Sequence, residues 1–401
     1  SGRHVGFGDG IYKSLNGGKT WHNMGLKESE HISKILVDPR NSNILFAAAE
    51  GPLWSPGGQR GVFKSSDGGR HWQAALKISK DTGVTSIAFE AGNPDIIYAA
   101  AYQRRRSVAA FMGGGPESGI YKSSDGGKSW KKLTVGLPKG HMGKIGIAVS
   151  TIKPQVVYAT IEASSDKRGF YRSENRGESW EKRNRYISNG TGPHYYQEIY
   201  ADPHRFDRVY QMDVWTHVTS DGGKTFRKVG EDHKHSDNHA LTFHPEDPDF
   251  LLSGTDGGLY ESRDGGKTWK FFANLPVTQF YKMALDNAEP FYNIHGGSQD
   301  NGSQMGPSRT LNINGIMNSD WFFTYGADGY ACGIDPQDPD TVYATWQTGH
   351  LLRCDRRSGE SLDIQPQPEL GEDPPRWNWD APFLISPHSP TRLYFGSQKL
   401  Y

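Results

Sequence analysis

An all-β fold of repeated four-stranded blades, a β-propeller of seven to eight blades, is predicted by three features of the sequence. A polar turn motif recurs six times, and an apolar motif recurs eight times and interleaves with it. The apolar motif returns every roughly 40 to 60 residues, the period expected of propeller blades.

The polar motif is clearest in Leu259 to Trp269, reading LYESRDGGKTW. Each copy has a hydroxyl residue, one spacer, Asp or Asn, usually two glycines, two more residues and an aromatic. The copies run Ser14 to Trp21, Ser65 to Trp72, Ser123 to Trp130, Ser173 to Trp180, Thr219 to Phe226 and Ser262 to Trp269. An Asp or Asn side chain accepts hydrogen bonds from amides of its own turn, and Gly allows positive φ. Pairs such as Val62-Phe63, Ile120-Tyr121 and Leu259-Tyr260 supply the incoming strand, so each copy reads as a hairpin turn.

The apolar motif is a short strand, a turn usually built on Pro, and a second strand. It runs Ile35 to Ala47, Ile87 to Ala99, Ile147 to Ala159, Ile199 to Tyr210, Leu241 to Leu252, Met283 to Ile294, Cys332 to Ala344 and Leu384 to Phe395. Joined, the two motifs give a meander in each blade: strand A, the Pro turn, strand B, a variable loop, strand C, the polar turn, strand D. Strand direction then puts Pro turns and polar turns at one end of the blade, with B–C loops and D–A connections at the other. The first end is uniform in sequence and the second is not, so function is expected at the second.

Residues 1–401 read as one propeller domain with incomplete ends. Residues 1–25 supply a C–D hairpin without A and B, and 384–401 supply A and B without C and D. Either the termini share one blade, which would hide both edges, or the chain is a fragment of a longer propeller protein. Around Ser308 to Phe323 and Arg353 to Glu360 the polar turn gives way to other loops.

Lysine plus arginine equals aspartate plus glutamate, 45 against 45, so no global field attracts nucleic acid. With a mean hydropathy of −0.70 and no apolar run near the roughly 18 residues of a membrane span, insertion by a helix is not expected. Cys332 and Cys354, the two cysteines, fall on strands A and C of one blade. Two strand spacings come to about 9.6 Å, beyond the roughly 7 Å limit for a disulfide, so both are expected as free thiols.

The turn spacing is that of the Asp-box, and the chain resembles the Asp-box propeller families: sialidase-like, sortilin-like and xyloglucanase-type glycoside hydrolases. The resemblance covers nearly the whole chain. It implies a propeller in an extracytoplasmic location, secreted or periplasmic, with a glycan or peptide ligand and no obligatory cofactor. It favours the fragment reading, because such chains continue with more blades. The motif recurs in enzymes, receptors and assembly factors alike, so it implies no single activity. The six boxes here read as ordinary turns, and no catalytic residue is carried over from the xyloglucanase-type pattern.

Three kinds of residue on the variable end carry candidate chemistry. His235, Asp237 and His239 precede an A strand at period two, which on an extended backbone is one side; they would line a polar channel, bind a ligand, hold a divalent metal such as zinc, or take part in catalysis. Asp256, in Gly254 to Gly258, and Gln299, Asp300 and Asn301, in Gly296 to Gly302, sit among glycines that let a ligand approach; Asp328 in Gly326 to Gly329 is similar. Asp256 with Asp300, on neighbouring blades, or Asp237 with either of them, are the candidate carboxylate pairs for glycoside hydrolysis. Aromatics that suit sugar faces or peptide side chains include His194 to Tyr196, Trp215, Trp321, Trp346, Trp377 and Trp379, with Tyr196 and Trp379 as the binding candidates. Gln103 to Arg106 is a basic run expected in a long B–C loop. All of the candidate polar residues are expected to meet at one face.

Overall fold

The computed structural model describes residues 6–187, 195–275 and 277–401. The chain forms two compact units, Ser1–Phe272 and Ala273–Tyr401.

The first unit opens on a two-stranded hairpin, Tyr12–Lys13 with His22–Asn23. Five blades follow, each ordered A-B-C-D with antiparallel neighbours. Their A and B strands are Ile32–Val37 with Leu45–Ala49, Thr82–Glu90 with Asn93–Arg106, Ile145–Val149 with Val157–Ile161, Ile199–Ala201 with Val209–Gln211, and Asn238–Phe243 with Leu251–Thr255. The second unit has blade six, starting at Lys282–Leu285 and Asn293–Ser298, and blade seven, starting at Cys332–Ile334 and Thr341–Trp346. It ends on the hairpin Phe383–Ile385 with Leu393–Phe395. All eight apolar motifs are A–B pairs, and the register pairs Ile35 with Ala47, Ile87 with Ala99, Ile147 with Ala159 and Cys332 with Ala344.

The core lies between successive blades. Phe46 and Val62 of blade one pack on Val84, Ile87 and Ile97 of blade two, and Tyr210, Met212 and Val218 of blade four pack on Leu241, Leu251 and Trp269 of blade five. Each blade therefore buries its apolar faces only against its neighbours, as stacked repeats do. Fully buried Ala47, Ala48 and Ala49, and Ala99, Ala100 and Ala101, have no bulk beyond Cβ and let adjacent sheets approach closely.

The six boxes share one hydrogen-bond pattern. In blade five the Ser262 hydroxyl donates to Asp264 Oδ1 at 2.8 Å and accepts the Gly266 amide at 2.9 Å, while Asp264 Oδ1 accepts the Lys267 and Thr268 amides at 2.9 and 3.0 Å. In the first hairpin Asn16 replaces Asp: its Oδ1 accepts the Thr20 amide at 2.9 Å, and its Nδ2 donates to the Thr20 hydroxyl at 2.9 Å. The boxes of the complete blades also donate an amide to the A–B turn of their own blade, as in Gly68 to Asn43 at 2.9 Å, Gly126 to Asp95 at 3.0 Å and Gly265 to Asp249 at 2.9 Å. That bond holds boxes and A–B turns at one end. In blade seven Arg356 donates to Asp340 at 2.9 Å, so the Asp355 turn takes the box's place although its sequence has left the motif.

The basic run is corrected by the structure. Residues 103–106 continue strand B of blade two, and Arg104, Arg105 and Arg106 pair with Phe111–Gly113. Arg104 is 2% exposed and pairs with Glu50 at 2.8 Å, Arg105 pairs with Asp81 at 3.2 Å, and Arg106 lies over Trp54 and Phe111. These charges are spent inside the fold. Cys332 and Cys354 are free, on strands A and C of blade seven. Among the described residues no helix is long and apolar enough to cross a membrane.

Candidate functional site

In the Ser1–Phe272 unit, the variable ends of blades four and five gather one group of the expected residues. Asp237 ends the connection into blade five, His239 lies at the start of its A strand, and Asp256 lies in a two-residue B–C turn. His239 Nε2 is 2.8 Å from Asp256 Oδ1. The Tyr196 ring stacks on the His239 imidazole, 5.5 Å between centroids and 14° from parallel. The Tyr196 hydroxyl donates to Asp237 Oδ1, and the Ser236 hydroxyl to Asp237 Oδ2 at 2.7 Å. Gly257 is needed because a Cβ there would lie 2.5 Å from the His235 side chain.

This geometry overturns the metal reading of His235, Asp237 and His239. The strand begins at Asn238, and Asp237 has φ of 62°, so the extended alternation that would align the three is broken. His235 Nδ1 meets the Ser236 carbonyl at 2.9 Å, Asp237 accepts from Tyr196 and Ser236, and His239 turns to Asp256. Among the described residues no three His, Cys, Asp or Glu side chains converge as a metal set. Tyr196 is fully buried, so it supports His239 from beneath and does not offer its ring to a ligand. His194 lies outside the described residues.

His239 also faces a cavity of about 720 Å³ bounded by the A strands of blades one to four. Its lining holds Arg104 of the basic run together with charges the sequence reading missed: Lys34, Glu50, Lys144 and Glu198. Lys144 Nζ meets Glu198 Oε1 at 2.8 Å. Burial lowers the Lys34 pKa against the opposing pull of Glu198. Charges embedded in apolar strands, such as Lys34 within ISKILV, were the available signal.

In the Ala273–Tyr401 unit the loops around strand A of blade seven gather the second group. Asp300, at φ of 58°, donates its amide to Asp328 Oδ1 at 3.0 Å. Asp328 Oδ2 accepts the Tyr330 hydroxyl at 3.0 Å and the Trp379 indole N–H at 3.1 Å. Burial pushes the Asp328 carboxyl up, but the hydrogen bonds from Asp300, Trp379 and Tyr330 outweigh it and hold the group below its usual range. Gly302 donates to Ala327 and Gly329 to Ser298, both at 2.9 Å, which locks the two loops together.

Around the pair, Gln299 accepts from the Tyr281 hydroxyl, and Asn301 Nδ2 turns back to the Gln299 carbonyl at 2.8 Å. Trp379 and Tyr281 are 59% and 50% exposed. Nearby in sequence order, Tyr325, Trp346 and His350 form a continuous ring stack with centroid steps of 4.0 and 4.5 Å. Each unit thus brings its own nominated residues together at the B–C and D–A end.

Two curated fungal proteins are similar to this chain. A probable oligoxyloglucan-reducing end-specific xyloglucanase of Neosartorya fischeri is 25% identical over 342 residues, 79% of this chain and 38% of that protein. An oligoxyloglucan-reducing end-specific xyloglucanase of Emericella nidulans is 22% identical over 345 residues, again 79% and 38%. The chain therefore spans about two fifths of the length of the curated relatives it matches. Among solved structures, the GH74 xyloglucanase from Xanthomonas campestris aligns with 98% of this chain and 68% of its own, at 13% identity and a TM-score of 0.42. The family described as sortilin, neurotensin receptor 3, Sortilin-Vps10, matches residues 9–167 and 168–323. Those two matches take in all five complete blades of the first unit and blade six of the second, so the chain belongs to the Sortilin-Vps10 family of Asp-box propellers.

Proposed function

We propose that this chain is an extracytoplasmic glycan-binding propeller in which Asp300, positioned by Asp328, is the proton donor of a glycoside-hydrolysing site. The observation that carries the reading is the carboxyl pair at a ring-lined loop end: Asp328 fixed by Asp300, Tyr330 and Trp379, with exposed Tyr281 and Trp379 beside it. Exposed rings stack on sugar faces, and Gln299 and Asn301 add donors and acceptors for hydroxyls.

Asp328 holds the Asp300 backbone amide and so acts as the positioning group for the acid. The fungal relatives make xyloglucan oligosaccharides the first substrates to try.

A second reading, a peptide-binding module without turnover, is favoured by the family match. Incubation with xyloglucan oligosaccharides, product analysis and calorimetric titration separate the two. Cleavage that disappears in Asp300→Asn supports the first reading. Binding of peptides with neither sugar binding nor cleavage would replace it with the second.

A further inference from the structure

The box end of blades four and five carries another cavity, of about 630 Å³. Arg205 and Arg208 reach it from the A–B turn of blade four, Arg227 from its D strand, and Arg263 and Lys267 from the box of blade five. Two carboxylates share the lining, and both are already engaged. Asp249 takes Arg205 at 2.7 Å, and Asp264 is surrounded by the donors of its own turn.

The remaining cations have donors to spare. Arg208 donates Nη2 to the Gly265 carbonyl only at 3.4 Å, with its Nε 3.7 Å from Asp202. Arg263 stacks on Phe250 at 4.7 Å and reaches Glu261 at only 3.6 Å. Among the described residues, the side chains of Arg227 and Lys267 make no ion pair within 4.0 Å. A local excess of cations on a chain of zero net charge, gathered around a concavity, has the form of an anion site. Guanidinium forks suit sulfate and carboxylate oxygens in pairs. Box-tip cations at the equivalent position, Lys19, Arg70, Lys128 and Lys224, recur on four of the five other boxes, the fifth carrying Glu178, and offer a polymer further contacts.

We infer that this cavity is an oxyanion site that takes the sulfate or carboxylate groups of an acidic polysaccharide. The carrier rests on the glycan reading above, while the anion chemistry rests on the cavity alone. The test is titration of the full chain with dextran sulfate, polygalacturonate, neutral dextran, inorganic sulfate and duplex DNA across a salt series. The triple variant Arg227→Gln, Arg263→Gln, Lys267→Gln changes exposed side chains, so its fold is expected to survive, as a melting curve will verify. It should bind dextran sulfate and polygalacturonate at least tenfold more weakly, with a shallower salt dependence. The control Lys19→Gln, Arg70→Gln, Lys128→Gln should lose no more than about threefold.

Equal losses in both variants, or none in either, would overturn the site. Duplex DNA binding as tightly as dextran sulfate would reduce it to a general cationic surface and overturn it as well. Inorganic sulfate saturating the site with the same sensitivity to the variants, and no gain from the polymers, would overturn the polysaccharide carrier. Neutral xyloglucan oligosaccharides, titrated into the same samples, report on the ring-lined end of the other unit. Their failure to bind counts against the glycan function and leaves the anion measurement standing.

Discussion

Asp328 accepts the backbone amide of Asp300 at 3.0 Å. Its bonds from Trp379 and Tyr330 help hold the Asp328 carboxyl below its usual range against burial. A general acid must carry its proton to donate it, so any hydrolysis that uses Asp300 should fall on the alkaline side of its profile. Asp300→Asn should lower turnover by about 10²- to 10⁴-fold, the contribution of a positioned acid, with affinity for oligosaccharides within a few-fold. Trp379→Ala should do the reverse, weakening binding most. Loss of both quantities in step for Asp300→Asn, in a protein that melts normally, would make the pair structural.

The boxes supply an internal control for acid sensitivity. Burial pushes Asp264 up, but the hydrogen bonds from Thr268, Ser262 and Lys267 prevail and bring it to about 2. A depressed folded pKa adds stability that is complete above the unfolded value, about 4, and is lost as pH falls toward 2. Asp264→Ala should cost about 1 to 2 kcal/mol at neutral pH through lost turn bonds. Asp264→Asn should keep most of that stability, because Asn16 and Asn175 already hold the same turn with Oδ1 and Nδ2, and should melt with less dependence on pH between 4 and 2. Melting curves of the three proteins at pH 7, 4 and 2.5 decide it. Oligosaccharide binding at the ring-lined loops should not change, since Asp264 lies at the box end.

The blades were legible because their signals are local. Ser262, Asp264 and Gly266 satisfy one another within a single turn, and the A–B pairs need only short apolar strands and a turn between them. The candidate residues were legible in position for a related reason: strand direction alone puts Asp256, Asp300 and Asp328 at the B–C and D–A ends. Their partners were not legible. The turn of Asp237 to φ of 62°, which broke the expected His235, Asp237, His239 alignment, follows from its bonds to Tyr196, 41 residues away, and to Ser236. The loop expected for Gln103 to Arg106 failed likewise, since Glu50 on blade one consumes Arg104, and no sequence pattern ties two such distant residues together.

Cys332 should be inert in the folded protein. Burial pushes its thiol up to about 12, and burial also raises that of Cys354. The thiolate is the reactive form, so neither should be alkylated by iodoacetamide near pH 7.5 before unfolding, and both should titrate in denaturant without a reductant. Fast native labelling of Cys332 would contradict its burial on strand A of blade seven.

Arg104 and Glu50 give the sharpest test of the buried charges. The pair is 2.8 Å apart, with side-chain exposures of 2% and 10%, and links strand B of blade two to the end of strand B in blade one. Removing one member leaves an uncompensated charge in a poorly solvated site, which costs about 3 to 5 kcal/mol, whereas replacing both with apolar groups of similar volume is often neutral or stabilising. Arg104→Met should therefore melt well below the parent protein, Glu50→Leu should do the same, and the double variant should recover most of the loss. If the double variant instead loses the sum of the two single changes, the residues do not act as a pair.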